Sequence, residues 1–152
     1  MRFGVSGATV GLNTTAATAW PIAIYNPAAV STVASKIYEW SIGPQANSAD
    51  NCYTIKANRT TTAGTWTSGP TPSPLDGHYG AALSLAGLSS TAAPTAGVEL
   101  GRWGFHMRGG YRWVAIPGGE LSPQAIFNYG IGLNTVFAQG SDVCGACIYF
   151  DE

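Results

Sequence analysis

Two cysteines three residues apart, Cys144 and Cys147, frame the motif Cys144-Gly145-Ala146-Cys147. Thiolates at this spacing hold zinc or exchange disulfides. Zinc needs two further ligands, and only Cys52, His78 and His106 remain to supply them. The redox form of the motif opens a helix, whereas here it falls in a run that alternates like a strand. In a regular strand the two sulfurs point to opposite faces. Ordinary, half-buried cysteines are therefore expected, with no metal and no cofactor.

The two histidines stand in no catalytic motif. His106 has Glu99 or Glu120 as possible partners. Of the eight carboxylates, most sit beside turns, where acidic residues are common. Two of them could in principle serve a glycosidase. Glu39 is mid-strand and is expected to face Lys56 or Arg59 across a sheet. No Walker loop, G-x-S-x-G or H-E-x-x-H is present. The reading is that the chain is not an enzyme.

Arg102, Arg108 and Arg112 flank Gly109-Gly110 together with His106. They read either as a solvated strand face or as a contact patch, since Arg is enriched at interface hot spots. Of the tryptophans, Trp20, Trp40, Trp103 and Trp113 fall in strand-like runs and are expected in the core. Trp66 lies in a polar stretch and reads as a pocket lid, a sugar-stacking platform or an interface anchor, the anchor being preferred. Asn13-Thr14-Thr15 and Asn58-Arg59-Thr60 match the glycosylation sequon, here read as chance.

The elements that would position these residues are short strands separated by Gly, Pro, Ser, Thr and Asn clusters. Runs at 20–25, 36–42, 52–59, 99–108, 111–116, 126–133 and 143–151 carry the pattern. Tyr38, Trp40 and Ile42 should share one face, opposite Ile37, Glu39 and Ser41. Tyr53, Ile55 and Ala57 should oppose Thr54, Lys56 and Asn58, and Ala146, Ile148 and Phe150 should oppose Cys147 and Tyr149. Gly109-Gly110 is a hairpin signal. Residues 60–80 and 84–95 read as long polar loops. The expected fold is all-β: a single-domain antiparallel β-sandwich of about eight strands, jelly-roll-like. Residues 1–35 form an N-terminal arm plus first strand, within the domain or reaching a neighbour, and residues 36–152 form the sandwich.

Charged residues make up only 10% of the 152, against about 25% in an average soluble domain. A surface so poor in charge has little to keep copies apart and suits burial in an assembly. The net charge of -1 gives no field to attract nucleic acid or anionic lipid. No apolar run reaches membrane-spanning length, so neither partner is expected. Nothing at Met1-Arg2-Phe3-Gly4 resembles a signal peptide, and three cysteines fit a chain made in a reducing cytoplasm.

From Lys36 onward, the order of short motifs resembles a family of small structural proteins of tailed phages and prophages. The matching residues are Glu39-Trp40, then Ala92-Ala93-Pro94-Thr95-Ala96-Gly97, then Trp113-Val114-Ala115-Ile116-Pro117-Gly118-Gly119-Glu120. Gly130-Ile131-Gly132-Leu133 and Ile148-Tyr149-Phe150-Asp151-Glu152 complete the series. The resemblance covers about three quarters of the chain and implies a capsid decoration (cement) protein or a related virion component. It implies a trimeric sandwich on the outer capsid surface, made in the host cytoplasm, with the major capsid protein as partner. The residues expected at such interfaces are Arg2, Phe3, Trp66, His78, Tyr79, Arg102, Arg108 and Arg112. The rival reading is a tail or fibre-head module that binds host glycans through Trp66 and the Asp76, His78 and Tyr79 cluster.

Overall fold

The structure, a computed structural model, describes residues 1–8, 19–27, 34–46, 50, 52–106, 108–136 and 143–152. The described residues contain eleven strands and no helix: β1 (Arg2–Ala8), β2 (Ala19–Tyr25), β3 (Lys36–Ala46), β4 (Cys52–Thr60), β5 (Thr65–Ser68), β6 (Ser73–Pro74), β7 (Leu85–Ala92), β8 (Ala96–His106), β9 (Tyr111–Val114), β10 (Gly130–Val136) and β11 (Val143–Asp151). They form two antiparallel sheets, packed as a β-sandwich. One has the order β6-β1-β11-β3-β9, the other β5-β7-β2-β10-β4-β8.

Alternation decides which side chains meet between the sheets. In β11, Cys144, Ala146, Ile148 and Phe150 are buried while their neighbours face outward. In β4, Tyr53, Ile55 and Ala57 point inward, as the sequence predicts. Phe3, Val5, Trp40 and Ile42 join the β11 set on one layer. Ile22, Ile24, Ile131, Leu133 and Phe105 face them from the other. Each such large side chain, fully buried, contributes about 1.5–3 kcal/mol relative to exposure. β2 is buried on both faces from Trp20 to Ile24, which places its unbroken apolar run inside its sheet.

Several glycines exist to seat aromatic rings. A Cβ on Gly87 would fall 2.2 Å from the Trp66 ring, one on Gly132 would fall 2.7 Å from Trp20, and one on Gly4 would fall 2.9 Å from Tyr149. The glycines thus let rings on neighbouring strands lie flat against the sheet.

The strand count exceeds the expected eight because the polar stretches are not merely loops. Residues 61–95 contain β5, β6 and β7, which extend the edges next to β2 and β1. The segment before residue 35 contributes two strands to the sandwich. Arg2–Ala8 pairs with β11 along its whole length, and β2 lies inside the six-stranded sheet. Residues 9–18 and 28–33 lie outside the described residues, and with them the sequon at Asn13. Ile126–Tyr129 is a turn, and β10 starts only at Gly130.

Two further corrections concern sidedness. A register shift between Tyr149 and Phe150 sets Phe150 opposite Ile37. Ile37 is therefore buried and Tyr38 turns outward, the reverse of a regular alternation. Gly109-Gly110 also does not close a hairpin. The N–H groups of both glycines donate to the His106 carbonyl, and Gly110 takes φ 64°. The resulting turn is an arch: β8 pairs with β4 in one sheet, while β9 pairs with β3 in the other.

Candidate functional site

The outer face of the five-stranded sheet carries several depressions. Its floor is built of small residues, because β1 and β11 place Gly4, Ser6, Gly145 and Cys147 outward, with Ser41 from β3 beside them. A depression of about 340 Å3 lies over Ser6, Ser41, Gln45, Gly145 and Cys147. A second, of about 290 Å3, is lined by Ser6, Pro70, Thr71, Ser73, Leu75, Cys147 and Tyr149. A third, of about 650 Å3, includes Arg2, Lys36, Leu75, Asp76, Tyr79, Asp151 and Glu152. The first two share Ser6 and Cys147, and the last two share Leu75, so the three form one furrow along the sheet.

Two tyrosines stand at the middle of this face. Tyr149 lies against Gly4 and stacks on Tyr38, with centroids 6.4 Å apart. The Arg2 guanidinium sits 5.3 Å from the Tyr38 ring centre and 3.7 Å from Asp151. Burial holds the Cys147 thiol above its ordinary pKa, so it is a poor nucleophile at neutral pH. Its hydrogen bond with Tyr149 raises the phenol as well. On the same face Arg112 grips Glu39 with two hydrogen bonds of 2.7 and 3.0 Å. That bond holds the Glu39 carboxyl below its ordinary value. Glu39 thus pairs with Arg112 on β9, not with Lys56 or Arg59, which belong to the other sheet.

One end of the sandwich is the end at which β1, β3, β8 and β10 start and β2, β4, β9 and β11 finish. Side chains bind its loops together. Asn26, fully buried, donates from Nδ2 to the carbonyls of Gln124 and Ile126 at 3.0 and 3.1 Å. Arg59 donates to the Ser122 carbonyl, and the Glu152 carboxylate accepts from the N–H groups of Leu83 and Ser84. Among the described residues, ten large apolar side chains are exposed at this end; most of the loops at the other end, 9–18, 47–49 and 137–142, lie outside the described residues. Val98, Val114, Ile116, Ile126 and Phe127 come from the starts and ends of β8 and β9 and the loop into β10. Met1, Leu75, Tyr79, Leu83 and Leu85 come from the opposite edge.

The structure disperses the residues that sequence spacing groups together. Arg102 shares a face with Lys56 on the outside of the six-stranded sheet, where it grips Glu99 with two hydrogen bonds. Arg112 lies on the outside of the other sheet, because the arch carries the chain across the sandwich. Arg108 is 4.0 Å from Asp50. Each of the three thus has a carboxylate beside it. His106 contacts Asp50 at 2.9 Å, not Glu99 or Glu120. Phe3 is 1% exposed and stacked on Phe150, so it holds the core and offers nothing to a partner.

Trp66 is not a free platform. Its ring rests on Gly87 and parallel to Tyr25, and its Nε1 donates to the Ala63 carbonyl at 2.6 Å. It lies on the outer face of the six-stranded sheet, whereas Asp76 and Tyr79 line the furrow on the other, so the glycan cluster expected from sequence is not assembled. Asp76 accepts from the N–H and the ring of His78, which are local turn contacts. Cys144 is buried and Cys147 faces outward, as the strand alternation predicts. Among the described residues no three potential ligands cluster as a metal site. Asn58 is 6% exposed, which removes it as a glycan acceptor.

Sequence reasoning places Tyr149 outward with Cys147 but misses Tyr38, whose side is set by the register shift. It also misses Asn26, for which only the Asn26-Pro27 turn pair gave a hint. No protein-family model matches the chain, and no curated protein or solved structure matches it.

Proposed function

We propose that this chain is a capsid decoration (cement) protein of a tailed phage, a noncatalytic module that stabilises contacts between major capsid subunits. The observation that carries the reading is the set of large apolar side chains exposed at this end. Ile116 is 77% exposed and Val98 62%, with Val114, Leu83 and Leu75 all above half. Exposed apolar surface gathered in one region of a folded chain marks a contact surface. Its loops are cross-linked by Asn26, Arg59 and Glu152, so they are ordered before a partner arrives and lose little freedom on binding.

The strand order supports the same reading. With β5, β6 and β7 left out, the sheets run β1-β11-β3-β9 and β2-β10-β4-β8. That order is compatible with the jelly roll expected from the sequence, an architecture shared by viral capsid and lectin domains, and it supports the reading on that ground. The family resemblance and the low charge point the same way. Docking would use the apolar end, while the arch with Arg108 would face away. Trimers seated on the outer capsid surface are the expected form. A decoration protein adds binding free energy to the assembled shell and not to its separated subunits, so it stabilises the shell by mass action.

The test is binding of the purified chain to assembled heads that lack it. The wild type should co-sediment with heads and raise their melting temperature. Ile116→Asp and Val98→Asp should each weaken binding at least tenfold while leaving the fold intact. Absence of head binding by a folded wild type refutes the proposal.

A further inference from the structure

We propose that the furrow on the outer face of the five-stranded sheet binds a linear, neutral glycan. This goes beyond the capsid reading: the two depressions over Ser6 and Cys147 lie on the sheet face, and the third, at Leu75 and Tyr79, borders the proposed docking end.

The shape is the first argument. Two depressions that share Ser6 and Cys147 make a track rather than a single cup, and a third, with charged walls, adjoins it at Leu75. A track takes a chain molecule. Its floor is low because Ser6 and Gly145 carry little or no side chain, and nothing lies within 4 Å of a Cβ placed on Gly145, so a ligand can approach the sheet closely there.

The chemistry of the lining is the second. The two depressions over the middle of the sheet have no charged side chain in their walls. They present hydroxyls from Ser6, Ser41, Thr71 and Ser73 and the amide of Gln45. A nucleic acid or an acidic peptide would need cations there. A sugar chain needs hydroxyl and amide partners for its own hydroxyls and an aromatic surface for its C–H faces.

Tyr149 supplies that surface. Its ring is fixed before any ligand arrives, lying over Gly4 and stacking on Tyr38. A preset ring binds with less loss of freedom than a mobile one. The cluster expected from sequence, Trp66 with Asp76, His78 and Tyr79, plays no such part. Trp66 is committed to Gly87 and Ala63.

The experiment titrates the folded, full chain with maltohexaose, cellohexaose and chitohexaose at millimolar concentration, followed by NMR. At least one should shift resonances of Tyr149, Tyr38, Ser6 and Cys147. Tyr149→Ala should weaken that binding about three- to tenfold, the worth of one aromatic contact. Gly145→Gln provides the check independent of the core. A Cβ at Gly145 meets nothing within 4 Å, so the variant keeps the fold and obstructs the track. It should abolish the shifts. Three outcomes overturn the proposal: no shifts with any of the three sugars, shifts that map to Trp66 instead, or binding undiminished in Gly145→Gln. Tighter binding of a heparin hexasaccharide than of all three neutral sugars also overturns it, since that would make the site a cation site.

Discussion

Asn26 holds the loop that carries two of the exposed apolar residues, and its removal has a calculable cost. The side chain is 0% exposed, and its Nδ2 donates to Gln124 and Ile126, about 100 positions away. Its backbone also bonds to Tyr129 and Asn128. Asn26→Ala deletes the two side-chain bonds and leaves the backbone pair. At about 1 kcal/mol net per hydrogen bond, the loss is about 2 kcal/mol, and the small void adds up to about 1 more. For a chain of this size that is a fall in Tm of about 5–10 °C. In urea, the midpoint should drop with an unchanged slope, since the surface exposed on unfolding is the same. Asn26→Asp refines the test. Aspartate has the same shape but no donors when ionised, and it would face two carbonyl oxygens. Its folded pKa must rise above the unfolded value, so its deficit grows as pH climbs above about 4. If Asn26→Ala unfolds within about 0.5 kcal/mol of wild type, Asn26 does not hold the 124–129 turn and the account fails.

Gly87→Ala should evict Trp66 from its seat, since a Cβ would sit 2.2 Å from the ring. The expected cost is about 1–3 kcal/mol, read by chemical denaturation; a neutral result would show that the ring is not seated there. The Glu39–Arg112 pair predicts a pH dependence. A carboxyl whose folded pKa is lowered adds stability that is fully present above its unfolded value and is lost as pH falls through the folded one. Stability should therefore decline as pH drops below about 4.5, and Glu39→Gln should flatten that decline. A decline of equal steepness in the variant would assign the effect to other carboxylates. Thiol labelling should modify exposed Cys52 first, Cys147 slowly because its thiol is pushed up, and buried Cys144 only on unfolding. Mass spectrometry of labelled peptides reads the order, and early labelling of Cys144 would contradict its placement in the core.

Much of the sandwich is legible because period-two alternation is a local signal. β4 and β11 show it cleanly, and both present to the core the side chains that their alternation assigns. β7 is illegible for the opposite reason. Its sequence, Leu85 to Ala92, is small and polar, and Gly87 sits within it. It becomes a strand because β2 offers an edge and Trp66 covers the glycine, and both facts are tertiary. β3 fails at one point only: the register shift opposite Tyr38 inverts two residues, and no residue of β3 itself announces it.

The site was harder to foresee, because a sandwich separates what the chain keeps close. Arg102 and Arg112 are ten positions apart and flank one hairpin signal in the sequence, yet they stand on opposite outer faces. Gly109-Gly110 satisfies the chemistry of a tight turn in either topology. What decides between hairpin and arch is whether β8 and β9 pair with each other or with β4 and β3. That choice belongs to the burial of Trp40, Trp103 and Trp113, which pack together across the gap between the sheets with centroids 5.1–6.3 Å apart. Were β8 and β9 paired as a hairpin in one sheet, Trp113 would leave this contact and expose an indole. The cost, about 2–3 kcal/mol of lost burial, falls against the hairpin. The aromatic residues, easily read as generic core, are therefore what disperses the arginines, with Arg102 on the outer face of one sheet and Arg112 on that of the other.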